Sequence, residues 1–253
     1  MTDDFYIGWE DEAPTSTRRW LRGLAASLVV LALGVAVALA ASQRSIGPGV
    51  FEWGHPRTFT GILRAEPVPH LLVRRPGQAA GSSAWSAYYL VRPFKFGVDP
   101  AVARAFDGRP VRLRGTLIHR GAQTMIEVDE PDIAATTEPA PPPPAPVSLG
   151  AQTLTGEIVD SKCYLGVMNP GNLIPHRACA IRCLSGGIPP LLLVRPANGP
   201  PQHVLLVGRD GRPVNRDVLP FVAEPVSITG ELVRQGDLLS LRADPATLRR
   251  VSR

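Results

Sequence analysis

Residues 110–118 read PVRLRGTLI, and residues 225–233 read PVSITGELV, so the two stretches align without a gap. In both stretches apolar residues alternate with polar ones, which is typical of a β-strand with one buried face. A glycine follows each stretch three residues later, at Gly121 and Gly236. The pattern predicts that one small β domain occurs twice in this chain.

The second copy is longer than the first at one place. Earlier strands also match, because TFTGIL at 58–63 recurs as TLTGEI at 153–158. In the first copy, Gly61 in this strand and Leu90 in the middle strand are 29 positions apart. The equivalent interval in the second copy spans 50 positions. The extra residues contain all three cysteines of the chain. We therefore predict a functional insertion, residues 163–187, in the second copy.

The order of elements within each copy predicts the fold. Each copy reads as three strands, a short helix and two more strands. The helices are predicted at 100–106, with Asp99 as N-cap, and at 216–223, with Asn215 as N-cap. This order resembles the OB-fold, a five-stranded Greek-key barrel. We expect a mainly β protein with two small OB-like five-stranded β-barrel domains.

The domain bounds follow from a proline-rich stretch between the copies. Residues 135–148 contain six prolines within eight positions (139–146 include PAPPPPAP), which predicts an extended polyproline linker. The first OB-like domain is then residues 50–134. The second is residues 149–253, with the cysteine-bearing insertion inside it.

An apolar segment precedes both domains. Residues 23–41 hold no charged side chain, and as a helix they would measure about 28 Å, enough to cross a bilayer. We predict a transmembrane helix at 21–43. Three arginines, at 18, 19 and 22, place residues 1–20 in the cytoplasm and the later domains in the periplasm by the positive-inside rule. The alternative is a signal peptide cleaved before Ala41.

This arrangement, an anchor followed by OB-like domains, resembles that of haem chaperones and other envelope OB proteins. The resemblance implies a bacterial inner-membrane protein with periplasmic domains. The histidine motif by which haem chaperones attach haem is not recognisable in this chain. Haem binding is therefore not part of the expectation.

The insertion carries the residues that point to chemistry. His176, Cys179 and Cys183 are spaced three and four apart, which places them on one face of a helix predicted at 173–184. Asn172 is the expected N-cap of this helix, and Gly186-Gly187 is its expected end. Cys163 lies on the preceding loop, from which it can reach the same face.

Two interpretations of this segment remain open. In the first, Cys163, His176, Cys179 and Cys183 are metal ligands for Zn or Cu, and Met168 and His203 are possible additional ligands. In the second, Cys163 forms a disulfide with Cys179 or Cys183, and one thiol stays free. His176 discriminates between them, because a metal site requires it to face the sulfurs and a disulfide leaves it free to face solvent.

Composition argues against several classes of function. The net charge is +5, but the arginines are scattered without interleaved aromatic residues, so we expect no nucleic-acid partner. The chain has no Ser-His-Asp, phosphate-loop or Rossmann pattern, and we assign no catalytic residue. Lysine is rare, with only Lys95 and Lys162, and this usage is typical of GC-rich bacteria.

We therefore expect a non-enzymatic, membrane-anchored periplasmic accessory protein with a metal- or redox-active Cys/His site. Its partners would be the inner membrane and an envelope protein, within an assembly or electron-transfer system. The alternative is a disulfide-stapled protein-interaction module without a cofactor. A third interpretation is a thiol oxidoreductase that uses Cys179 and Cys183, although the Cys-x-x-Cys motif of such enzymes is missing.

Overall fold

The computed structural model describes residues 13–44, 49–77, 84–138, 140–196 and 198–251. It divides into two compact units, Met1–Gly47 and Pro48–Arg253. Most of the predicted cytoplasmic tail, residues 1–12, lies outside the described residues.

The described residues of the first unit form one apolar helix, α1, Thr15–Arg44. Its stretch Thr15–Ser42 has a mean hydropathy of 2.6 and is long and apolar enough to cross a membrane. A signal sequence near the N-terminus can meet the same criteria of length and hydropathy. The helix begins six residues before the predicted span, directly after Pro14, because the arginine-rich segment continues the same helical turns.

The second unit contains two β-barrels in chain order. The first barrel consists of β1 (Val50–Phe51), β2 (Arg57–Arg64), β3 (His70–Arg74), β4 (Trp85–Val91), α2 (Pro100–Ala105), β5 (Pro110–Arg120) and β6 (Gln123–Ala135). The second consists of β7 (Val147–Asp160), α3 (Arg177–Ser185), β8 (Pro190–Val194), β9 (Gln202–Gly208), β10 (Pro225–Gln235), β11 (Leu238–Ala243) and β12 (Arg249–Arg250). Residues 140–146, in the predicted linker, form neither helix nor strand.

Both barrels close in the same way. In the first, the hydrogen-bonded order is β5-β2-β3-β4-β6, and β6 pairs with β5 to complete the ring. In the second, the order is β10-β7-β8-β9-β11, closed by β11 with β10. The third and fifth strands of each ring pair in parallel, and the other pairs are antiparallel. The prediction of a mainly β chain with two five-stranded OB-like barrels is confirmed.

Equivalent glycines show how closely the two copies correspond. A Cβ atom on Gly115 would lie 2.5 Å from the carbonyl oxygen of Glu127, and one on Gly230 would lie 2.5 Å from that of Arg242. In both barrels the carbonyl belongs to the strand that closes the ring. A side chain at either position would therefore push the closing strands apart.

The helix between the third and fourth strands differs between the copies. In the first barrel α2 begins as predicted, with the Asp99 side chain accepting from the backbone of Ala101. In the second barrel, the prediction of a helix at 216–223 is wrong, since only the 3₁₀ turn Leu219–Phe221 forms there. Pro220 lacks the N–H that an α-helix needs there. Asn215 does not cap this turn, because its amide donates to Leu184 and Ile188 in the insertion segment.

The two barrels share an apolar core and form one unit. Buried side chains from both barrels meet in this core, among them Leu72, Trp85, Tyr89 and Met125 from the first and Val159, Tyr164, Leu191 and Leu205 from the second. A polar contact closes one side, where Asp237 accepts from Arg75 at 2.6 Å and from the backbone of Ala87 at 2.7 Å. The cysteine insertion lies at this boundary, since Cys163 and Cys183 belong to the same core.

His70 gives the fold a predictable dependence on pH. Its side chain is fully buried, and its Nδ1 donates to the carbonyl of Val68 at 2.8 Å. Burial lowers the pKa of His70 from 6.5 to about 4. The unfolded chain therefore takes up a proton first as the pH falls. The stability that neutral His70 contributes is complete above pH 6.5 and is lost progressively towards pH 4, by roughly 3 kcal/mol.

Replacing His70 by Asn tests this dependence, because an asparagine amide can still donate to Val68 but does not titrate. We expect H70N to reduce the loss of stability between pH 7 and pH 4.5, measured by urea denaturation of the full chain in detergent. The exposed residue His55 offers the matched control, H55N, which should leave the pH dependence unchanged. An H70N protein with the wild-type pH dependence would contradict the assignment.

Candidate metal centre

The insertion folds as three short segments. Cys163–Val167 forms a π-helical turn after β7, Ile174–His176 forms a 3₁₀ turn, and α3 follows directly. The prediction of a single α-helix at 173–184 is therefore wrong for the first turn of that segment. Pro175 disfavours the α conformation at the residue before it, so the α-helix begins only after His176. Asn172 makes no cap, and its Oδ1 is buried without a partner among the described residues.

The three cysteine sulfurs converge. Cys163 Sγ lies 3.7 Å from Cys183 Sγ and 3.9 Å from Cys179 Sγ, and all three sulfurs lie within 4.8 Å of one another. Cys163 and Cys183 are buried, whereas Cys179 is partly exposed. All three are free thiols, because a disulfide would require a separation of about 2.05 Å. Such a group could hold a metal ion.

A lysine from the first barrel contacts these sulfurs. The Lys95 ammonium donates to Cys179 Sγ at 2.9 Å and to Cys183 Sγ at 3.6 Å. The hydrogen bond to Cys179 raises the pKa of Lys95, so the ammonium stays charged. The hydrogen bond between the sulfurs of Cys163 and Cys183 raises the pKa of Cys163 and lowers that of Cys183. Of these two cysteines, Cys183 therefore loses its proton more readily than Cys163.

The loop that carries Lys95 is held against the insertion by a buried ion pair. Lys162 is 2% exposed, and its ammonium lies 2.5 Å from the Glu127 carboxylate. The same ammonium donates to the carbonyls of Arg92 at 2.8 Å and Phe94 at 2.7 Å. All three protons of this ammonium are thus donated to groups of the first barrel. These bonds hold the loop beside the cysteines.

A backbone contact completes this attachment. The N–H of Gly97 donates to the carbonyl of Gly186 at 2.9 Å. A Cβ atom on Gly186 would lie 1.9 Å from the Lys95 carbonyl oxygen. Only glycine allows the end of α3 to approach this loop so closely.

His176 faces neither the solvent nor all three sulfurs. Its Nε2 lies 2.9 Å from Asp160 Oδ2, and both side chains are buried. Asp160 Oδ1 accepts the backbone N–H of Cys163 at 2.8 Å. Asp160, Cys163 and His176 form a second group whose ligand atoms lie within 4.8 Å of one another. Both groups contain Cys163.

Asp160 was absent from the predicted ligand set. The signal was present in the sequence, since Asp160 stands three residues before Cys163 and both can lie on one side of a helical turn. The predicted set of Cys163, His176, Cys179 and Cys183 is thus distributed over two adjoining groups. Whether these residues bind a metal stays a prediction.

The two additional ligands that the sequence suggested lie outside both groups. Met168 is 44% exposed and borders a cavity of about 430 Å³ that also contacts Phe94, Phe96 and the three cysteines. The ring of His203 lies 5.3 Å from that of Tyr164, and burial lowers its pKa to about 4. Met168 is therefore at the mouth of the thiol site, whereas His203 packs against the insertion.

In comparisons with protein-family models, with curated proteins and with solved structures, nothing matches the chain. What the protein does has to be inferred from the two ligand groups, from the residues that hold them and from the helix that precedes the barrels.

Proposed function

We propose that this protein is a membrane-anchored bacterial envelope protein that binds a thiophilic metal ion, Zn²⁺ or Cu⁺, through Cys163, Cys179 and Cys183. It serves as an accessory to an envelope assembly or electron-transfer system. The main support for this proposal is that the three cysteine sulfurs lie within 4.8 Å of one another. The apolar helix α1, with arginines before it and two barrels after it, supports the anchored topology with the barrels in the periplasm.

The sulfur separations favour a metal over a disulfide. Metal–sulfur bonds of about 2.3 Å around one ion place neighbouring sulfurs roughly 3.8–4.0 Å apart. The separations from Cys163, 3.7 and 3.9 Å, already match this spacing. A disulfide would engage two thiols and leave a third one reactive in an oxidising compartment. A metal engages all three and protects them.

The surroundings of the sulfurs favour a thiolate complex. Three thiolates around a monovalent or divalent ion leave a net negative charge, and the Lys95 ammonium lies where it offsets that charge. Soft sulfur ligands suit Cu⁺ and Zn²⁺. The exposed thioether of Met168 at the mouth of the cavity offers a transient ligand to an entering soft ion.

Metal titration of the reduced full chain in detergent tests the proposal. We expect C183S to weaken the binding of Zn²⁺ or Cu⁺ at least a hundredfold in competition with a chelator, because one of three thiolates is lost (about 2.7 kcal/mol). The matched control is S185A, two residues further on, which removes only an exposed hydrogen bond to Ile181.

Two outcomes would contradict the metal site. One is equal affinity of the wild type and C183S for both ions. The other is a protein isolated without metal and with Cys163 oxidised to a disulfide with Cys179 or Cys183, which would support the stapled interaction module. Turnover of that disulfide with a thiol substrate would support the thiol oxidoreductase instead.

A further inference from the structure

We infer that the insertion binds two divalent metal ions of the Zn²⁺ type, and that the Cys163 thiolate bridges them. This inference rests on the proposed function, since one of the two ions occupies the three-cysteine group. The second ion occupies the group formed by Asp160, Cys163 and His176. The geometry, the residue types and the charge of the two groups support it separately.

The geometry of the second group suits an ion. Asp160 Oδ2 and His176 Nε2 lie 2.9 Å apart, close to the separation of about 3.0–3.5 Å that two ligand atoms adopt at 2.0–2.2 Å from one ion. Cys163 Sγ lies within 4.8 Å of both atoms. The bond from the Cys163 N–H to Asp160 Oδ1 holds these two residues side by side. A small shift of these side chains would therefore let one ion contact all three residues.

The residue types select the class of ion. A carboxylate, an imidazole and a thiolate together form a mixed oxygen, nitrogen and sulfur set, which suits Zn²⁺ better than Cu⁺. All three side chains are buried, so the ion would be shielded from solvent. The presence of the carboxylate thus indicates a divalent ion at this group.

Two such ions balance the formal charges of the four proposed ligands that can be negative. Three thiolates and one carboxylate carry four negative charges, which two divalent ions neutralise. With one divalent ion, two negative ligand charges stay, and the Lys95 ammonium beside Cys179 and Cys183 offsets one of them. Asp160 is 0% exposed, and burial makes the remaining negative charge costly. Binding releases the thiol protons to solvent and involves no oxidation or reduction.

The other role open to Asp160 and His176 is purely structural. A hydrogen bond between them could orient the insertion without touching metal. Two conservative variants separate these roles. H176Q keeps an amide donor for Asp160 but removes the imidazole, and D160N keeps an oxygen acceptor for the N–H of Cys163.

The test is equilibrium dialysis of the reduced, full-length chain in detergent against buffered Zn²⁺, with bound metal measured by elemental analysis. We expect two ions per chain in the wild type. H176Q and D160N should bind one each, and C183S should also bind one. C163S, which alters both groups, should bind fewer ions than any of these variants. S185A, the control, should bind two.

The outcomes distinguish the two proposals. One ion in the wild type and one in H176Q and D160N would overturn the bridged pair and leave the three-cysteine site intact. No ion in the wild type would overturn both. Two ions in H176Q and D160N would place the second ion elsewhere and also overturn the bridge.

X-ray absorption at the zinc edge of the wild type gives a second measurement that needs no variant to fold. The bridged pair predicts an average of two sulfur ligands per zinc together with nitrogen or oxygen ligands, because Cys163 counts for both ions. A single ion in the three-cysteine group predicts three sulfurs per zinc instead. A three-sulfur average would therefore overturn the bridged pair.

Discussion

Replacement of Lys162 by Met is expected to lower the free energy of unfolding by about 3–5 kcal/mol, the usual cost of removing one partner from a buried ion pair. The substitution leaves the Glu127 carboxylate, whose side chain is 12% exposed, without its cation. It also leaves the carbonyls of Arg92 and Phe94 without their shared donor. Urea denaturation of the full chain in detergent measures the effect.

An exposed ion pair of the second barrel provides the matched control. Arg209 is 74% exposed and lies 3.5 Å from Asp244, so R209M should cost less than about 1 kcal/mol. The double variant K162M/E127Q, which no longer buries an unpaired charge, should recover part of the loss. A K162M protein as stable as R209M would show that the buried pair does not hold the two barrels together.

Replacement of Gly186 by Ala should have the second large effect, a decrease of about 3 kcal/mol in the free energy of unfolding. Gly186 has a φ of −84°, which alanine adopts without strain, so the effect arises from contact alone. The new methyl group would lie 1.9 Å from the Lys95 carbonyl oxygen. Relieving that overlap separates α3 from the loop and breaks the hydrogen bond between Gly97 and Gly186.

The same variant should weaken metal binding, because the loop that moves carries the ammonium beside the sulfurs. Thermal unfolding and the chelator competition assay measure the two effects on one sample. S185A, one residue earlier, is the control for both. If G186A kept wild-type stability and metal affinity, the position of Lys95 would not depend on this close contact.

The repeated strands allowed the fold to be predicted, because alternation and glycine spacing are local properties of the chain. The recurrence of PVRLRGTLI as PVSITGELV placed Gly115 and Gly230 at equivalent points of two closed barrels. The helix at 216–223 was predicted wrongly for an equally local reason. Pro220 interrupts it, and Asn215 is used by the insertion.

The candidate site could be predicted only in part. The spacing of Cys179 and Cys183 on one helix is readable in the sequence, and so is the short distance along the chain from Asp160 to Cys163. The contribution of Lys95 is not readable, because it lies 84 residues before Cys179 and comes from the other copy. Only the packing of the two barrels into one core brings it to the sulfurs.

This packing places residues of the cysteine-free copy beside the sulfurs of the other copy. The first barrel supplies one wall of the thiol cavity through Phe94, Lys95 and Phe96, although none of its own residues is a proposed metal ligand. In the proposed site, one copy therefore carries the ligands and the other sets their electrostatic surroundings. We therefore expect sequence changes in a single loop, residues 92–97, to alter the surroundings of the proposed site while every cysteine stays in place.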